Sequence, residues 1–320
     1  MVLRASWPTC TRVQHMMNSS LPSQVCLGDE VALALQAGQP VVALESAVIT
    51  HGLPEPRNLE AASCMAGAVR ARGAIPAICL VHESLLWIGA DLDRAAAVAR
   101  NPKREKASVR DLGIAIATGA AAGLTVSATL FAAALAGIQV FATGGIGGVH
   151  APVGSGDVSA DLLQLSRSPV VTVCSGAKSV LDIPRTLEFL ETAGVPVFSY
   201  RTRDFPGFYL LKSGAYAPVL SSPDEVARAA RTQWELGLAT GLVLGNPIPV
   251  HEQIAEDDWR DWLQEAQSSA EREHIQGKAV TPYLLDRVAS LSGGRTVQAN
   301  IALLESNAIL AAEVAVALSS

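Results

Sequence analysis

Two side chains stand where an enzyme would place reactive groups. Lys178 follows the apolar run Val170–Val173 and a Ser175-Gly176-Ala177 turn. A lysine leaving a buried strand among Ala177, Val180 and Leu181 is partly desolvated. Desolvation disfavours the ammonium and frees the amine as a nucleophile. The same position also suits a lysine that reaches out to water or to a phosphate. Glu45 closes the apolar run Val41-Val42-Ala43-Leu44. A carboxyl there either caps a backbone turn or acts as an acid/base with a raised pKa. Asp157 and Asp161 are four apart, which on a helix puts them on one face. Paired carboxylates suit a hard divalent cation such as Mg²⁺ or Mn²⁺; simple capping by Asp157, with Asp161 solvated, is the competing reading. The run Thr143-Gly144-Gly145-Ile146-Gly147-Gly148-Val149-His150 follows a strand-like segment. Its glycines let backbone N–H groups approach an anion, or simply make a tight turn. It matches neither the Walker nor the dinucleotide spacing. His150 fits an acid, a donor or a structural histidine. Lys106 is the candidate phosphate contact, whereas Lys103 and Arg104 read as a solvated basic loop.

The elements that position these groups alternate. Strands are expected at Pro40–Leu44, Ala77–Val81, Ile114–Ala117, Val140–Ala142, Val170–Val173, Val195–Tyr200 and Gly241–Leu244. Helices are expected at Asn58–Arg72 with Asn58 as cap, Ser127–Ala136, Val158–Leu165 with Asp157 or Ser159 as cap, a Pro184-started helix ending at Gly194, Glu225–Gly237, Asp257–Glu273 and Val297–Leu318. The alternation predicts a three-layer α/β/α sandwich around a mainly parallel, mixed sheet, built as one domain over residues 29–320. In such sheets ligands lie beyond the carboxyl ends of strands. Glu45, the glycine run and the Lys178 turn all fall there. Residues 1–28 contain no acid and read as a disordered tail, or as residues upstream of a true start at Met16 or Met17.

Composition excludes several classes. The 320 residues carry 24 Lys plus Arg against 30 Asp plus Glu, a net charge of −6, so no basic stripe offers itself to nucleic acid. Residues 112 to 156 contain no Asp, Glu, Lys or Arg. That stretch is long enough for a membrane span, but glycines and threonines interrupt it and no Trp or Tyr belt flanks it. It reads as buried core. Five scattered cysteines without a CxxC pair indicate neither a disulfide framework nor a zinc site. Cys79 and Cys174 read as buried thiols in a reducing cytoplasm.

Taken together, the motifs resemble one family. They are Ala43-Leu44-Glu45-Ser46 with His51-Gly52-Leu53-Pro54, Phe141 to His150, Asp157 to Leu162, Gly176-Ala177-Lys178-Ser179, Leu187 to Thr192, Asp204 to Tyr209, Asn246-Pro247-Ile248-Pro249 and Lys278 to Pro282. Their order over residues 30–318 resembles the pseudouridine-5′-phosphate glycosidases, also called pseudouridylate synthases, related to the indigoidine-cluster A proteins. The resemblance implies reversible C–C cleavage of pseudouridine 5′-phosphate to uracil and ribose 5-phosphate, in pseudouridine catabolism. It implies Mn²⁺ or another divalent cation and a cytoplasmic homotrimer. It puts the nucleophile at Lys178, the proton donor at Glu45 and the metal ligand at Asp157. Substrate contacts fall on Lys106, Val126, Ser159, Ala160 and Asp161, with His150 and Asn300 lining the site. The spacer 151–156 is Gly/Pro-rich and uncharged, so the rim beside His150 departs from the family pattern.

Two other readings compete. Gly154-Ser155-Gly156-Asp157 resembles the catalytic aspartate motif of ribokinase-type sugar kinases, but it lies mid-chain without the downstream nucleotide-binding half. A non-catalytic phosphosugar-binding protein would keep the fold and lack turnover.

Overall fold

A short buried strand ending in a polar residue recurs along this chain, and in the computed structural model these strands assemble side by side. Residues 21–150, 156–275 and 280–320 are described. Among them, β1 (Val25–Leu27), β2 (Val41–Leu44), β3 (Ile75–His82), β4 (Leu85–Ala90), β5 (Glu105–Ala107), β6 (Ala122–Leu124), β7 (Val140–Ala142), β8 (Val171–Cys174), β9 (Val197–Tyr200), β10 (Val219–Leu220) and β11 (Leu242–Gly245) form one sheet. Its order is β1-β4-β3-β2-β7-β8-β11-β9-β10, with β6 on β3 and β5 on β6. All pairings are parallel except β3 with β4 and β3 with β6. The expected mixed, mainly parallel sheet with flanking helices is therefore present.

The centre is β2-β7-β8-β11, where every strand residue is buried. Such strands read as continuous apolar runs because helices cover both faces. The helix Arg295–Ser319 lies against β2, β7 and β8 and against the helices Arg57–Ala71 and Pro223–Glu235. By length and composition it could cross a membrane, yet half of its apolar window is buried in the protein. It is the core helix of this fold. The uncharged stretch contributes the helices Leu112–Thr118 and Val126–Leu135, with β6 and β7. Its longest helix has 10 residues, about 15 Å at 1.5 Å per residue, which is too short for a bilayer.

Several expectations are corrected. Ile114–Ala117 is not a strand but part of the helix Leu112–Thr118. A Ser108–Asp111 capping box precedes that helix, and Gly119 ends it in the left-handed region at φ 69°. A four-residue apolar run does not distinguish strand from helix, and the flanking caps decide. Val25–Leu27, within the expected tail, is buried strand β1 beside Leu86–Ile88; residues 1–20, with Met16 and Met17, lie outside the described residues. Asn58 does not cap its helix. It is buried, and its Nδ2 donates to Ile49 O at 2.7 Å. The helix expected from Val158 begins at Ala160, capped by Ser159, whose Oγ accepts from Asp161 N. Asp157 therefore lies outside the helix and shares no helical face with Asp161.

Candidate active site

β2 delivers Glu45 to the sheet's carboxyl end. The side chain is 6 % exposed, and the Thr143 hydroxyl donates to its Oε1. Burial pushes the Glu45 carboxyl above the ordinary range, against the opposing pull of Lys178, Thr143 and Lys106. A neutral carboxylic acid is a proton donor. The carboxyl stands at the end of the buried strand, where the sequence pattern puts it.

β8 delivers Lys178. Its turn is zipped to the glycine run: Ile146 N donates to Gly176 O and Lys178 N to Ile146 O, both at 3.1 Å. Gly176 adopts φ +83°, and a Cβ there would sit 2.0 Å from Pro206 O, so only glycine fits. Lys178 is half-buried. Lys106 comes from β5, not from a solvated loop. The residue is partly exposed, but its ammonium reaches the same cleft. Burial there, with the Lys178 charge, lowers it to about 8.

Glu45, Lys106, Lys178 and Ala47 line two adjoining lobes. One is polar and includes Val126, His150, Asp157, Ser159, Ala160 and Asp161, with Ser108, Arg110, Thr125 and Ser127. The other is more apolar and includes Val48, His51, Phe208, Leu285, Leu304 and Asn300. The structure thus brings every candidate residue to one cleft, but Asn300 lies on the far side of the reactive groups from Asp157. His51 is held below its usual range by burial and by the Arg104 and Lys106 charges.

Asp161 is not solvated. It is 5 % exposed, and its two oxygens accept from Ser127 N and Gly147 N, each at 2.8 Å. This clamps the start of the helix Val126–Leu135 to the glycine run. Glycine is required at 147 because a Cβ would meet Ser159 Oγ at 2.3 Å and Asp161 Oδ2 at 2.7 Å. Here the glycines serve close packing, and the Gly147 amide is committed to a carboxylate, not to an external anion. Gly147→Ala is therefore expected to lower kcat/KM by about 100-fold, since a 1 Å misplacement can cost that much; wild-type activity in steady-state assays would remove this role from Gly147.

Asp157 is half-exposed at the mouth of the polar lobe, with its Oδ2 4.0 Å from His150 Nδ1. Among the described residues no group of three or more His, Cys, Asp and Glu is arranged to hold a metal. The donor set fits a hard cation that takes one carboxylate oxygen and keeps its other positions for water and ligand, as Mg²⁺ and Mn²⁺ do. It does not fit a closed site of protein ligands, because Asp161 is already taken.

Comparisons with known proteins give the family and the fold of the chain. Residues 30–317 match the family model described as indigoidine synthase A like protein. The chain belongs to this family. A pseudouridine-5′-phosphate glycosidase of Solibacter usitatus is 47 % identical over 89 % of this chain and 96 % of its own length. One of Methylobacterium nodulans is 48 % identical, over 90 % of this chain and 86 % of its own. Among solved structures, the prealnumycin C-glycosynthase AlnA in complex with ribulose 5-phosphate superposes with a TM-score of 0.85. It is 37 % identical, covering 93 % of this chain and 98 % of its own. An indigoidine synthase A-like protein from Thermotoga maritima gives 0.85 at 35 % identity, covering 92 % and 97 %. The family match covers nearly the whole chain and gives the sugar-kinase reading no support.

Within the family frame, the residues that single-sequence reading missed are Thr143 and Phe208. Both lie inside motifs quoted for other residues. Thr143 precedes the first glycine and its hydroxyl is the partner of Glu45. Phe208 sits at φ 65° with its ring packed on Gly145, so a Cβ at 145 would meet it at 2.6 Å. A threonine ending an apolar strand beside another strand that ends in glutamate is the available signal, but the pairing of β2 with β7 had to be known first.

Proposed function

We propose that this protein reversibly cleaves the C–C glycosidic bond of pseudouridine 5′-phosphate to uracil and ribose 5-phosphate, with Lys178 as nucleophile and Glu45 as acid. The observation that carries this reading is an amine and a buried carboxyl, raised by burial above the ordinary carboxylate range, opening on one cleft. The C-glycosidase relatives and the sugar-phosphate complex support the same class of reaction. A C–C bond has no leaving oxygen for an acid to protonate, so two-carboxylate glycosidase chemistry is poorly suited.

An amine resolves the difficulty. Electrons of the uracil ring expel O4′, which takes the Glu45 proton as the C1′–O4′ bond opens. The Lys178 amine adds to C1′, returning the electron pair to the ring, and gives a proton to the Glu45 carboxylate. Glu45 passes that proton on to C5 and is reprotonated by the water that later adds to C1′. The amine lone pair forms a C1′=N bond as the C1′–C5 bond breaks, and that bond's electrons stay with uracil. Water adds to C1′ and releases Lys178 and ribose 5-phosphate. Lys106 grips the phosphate, whose binding energy holds C1′ against the amine. Val126, Ser159, Ala160 and Asp161 wall the substrate, with His150 and Asn300 on either side. Asp157 would hold Mn²⁺ or another divalent cation, which when bound polarises the base through ordered water.

The decisive test mixes protein, Mn²⁺, uracil and ribose 5-phosphate and follows formation of pseudouridine 5′-phosphate. Borohydride with ribose 5-phosphate should leave an adduct on Lys178, seen by mass spectrometry; an adduct elsewhere, or none during turnover, defeats the amine route. Chelation should remove activity and Mn²⁺ restore it, whereas full activity after exhaustive chelation would remove the metal from the scheme. ATP-dependent phosphorylation without uracil chemistry would favour the kinase. We also propose a homotrimer, which sedimentation should show as three chain masses. The free thiols of Cys26, Cys64, Cys79 and Cys174 fit a reducing compartment such as the cytoplasm.

A further inference from the structure

Beyond the last strand residues, backbone hydrogen bonds still join the turns that follow β7, β8 and β11, among them Ser175 N to Gly144 O at 2.9 Å and Asn246 N to Cys174 O at 2.8 Å, and a buried side-chain tie is added to them. Asn307 supplies it. It lies on the helix Arg295–Ser319, is 0 % exposed, and has apolar neighbours Leu303, Leu304 and Ala308 on the same helix. Its Nδ2 donates to Thr143 O at 2.8 Å and to Ser175 Oγ at 3.1 Å, with Gly144 O at 3.5 Å. Its Oδ1 accepts from Asn246 Nδ2 at 3.0 Å. One amide therefore joins the turns that follow β7, β8 and β11. Thr143 is the residue whose hydroxyl donates to Glu45, and Ser175 opens the turn that ends in Lys178.

We propose that Asn307 is a positioning residue that couples the Glu45 acid to the Lys178 nucleophile. This rests on the reaction assigned above. The amide's donors and acceptor are satisfied, and in low-dielectric surroundings each misdirected bond costs the full desolvation of a polar group. Such an amide holds its partners in one arrangement. An apolar side chain would fill the space without directing either turn. A purely structural asparagine would stabilise the protein and leave the chemistry alone, and the two roles separate experimentally.

In Asn307→Leu, kcat should fall by about 100-fold, the scale of a 1 Å misplacement, while the KM for ribose 5-phosphate stays within about twofold because Lys106 is untouched. The pH limb belonging to Glu45 should move upward as the Thr143 hydroxyl loses its aim; Lys178, Lys106 and Asp161 also face that carboxyl and remain in place. Thr143→Val should give the same phenotype and Thr143→Ser restore most of it. The Asn307→Leu, Thr143→Val double variant should be little slower than the slower single one, since residues in one network are not additive. If Asn307→Leu does not fold, Asn246→Ala removes one anchor of the amide and should lower kcat with the same unchanged KM. A variant that melts earlier but keeps wild-type kcat and pH profile, or a fully additive double variant, overturns the proposal. A wild-type protein that makes no pseudouridine 5′-phosphate overturns the underlying reaction instead.

Discussion

Lys178→Ala is expected to abolish turnover, by on the order of 10⁵-fold or more, because the effective concentration of a positioned nucleophile is lost with it. Lys178→Arg should be equally inactive: the charge is kept, but a guanidinium does not deprotonate to add to carbon. Both variants should fold, since the turn around Lys178 is held by its backbone and not by its side chain. Ribose 5-phosphate should still bind to Lys178→Ala. Removing one of two neighbouring ammonium groups relieves Lys106, which burial and Lys178 together hold at about 8. Phosphate binding in the wild type should weaken as pH rises through about 8, where Lys106 loses its proton, and in Lys178→Ala that loss should move to higher pH. Calorimetric titration of ribose 5-phosphate across pH 7–10 reads this directly. Appreciable turnover in either Lys178 variant would transfer the nucleophile's role to another group.

Glu45→Gln is the second large effect. General acid catalysis contributes about 10²–10⁴-fold, so kcat should fall within that range. The stability effect has the opposite sign. Burial raises the Glu45 pKa, so the folded state holds its proton at pH values where the unfolded chain has released it. Such a group costs the fold progressively more as pH rises from the ordinary carboxylate range through the raised value. Glutamine carries no charge and still offers an oxygen to Thr143. Its melting temperature should therefore equal or exceed that of wild type at neutral pH and above, while activity is lost. This is the exchange of stability for function seen at strained sites. A Glu45→Gln protein less stable than wild type at pH 8 would show that the carboxylate is well accommodated when charged.

How much of this was legible beforehand depends on the kind of signal. β2 with Glu45 and β8 with Lys178 were readable because a buried parallel strand is a continuous apolar run, and a polar residue that ends it stands out. The buried thiols Cys79 and Cys174 were readable for the same reason, and burial pushes both up to about 12. Ile114–Ala117 was misread because apolar runs of four carry no period. The Asp157–Asp161 pair was misread because the helix boundary falls between them: Ser159, not Asp157, caps it. Boundaries depend on local capping bonds that compete within a fraction of a kcal/mol of one another.

The sequence alone determined the alternation of strands and helices, the family, and the residue types available to the reaction, since these follow from local pattern and motif order. Only the tertiary structure decided which of them meet. It set Lys106 of β5 beside Lys178 of β8, so that one ammonium perturbs the other. It turned Asp161 from an apparent metal partner into a clamp on two backbone amides. It also brought Asn307, 132 residues beyond Ser175, into the space between the two reactive turns. Burial, charge coupling and hydrogen-bond commitment depend on distances between segments far apart in the chain, and no local pattern contains those distances.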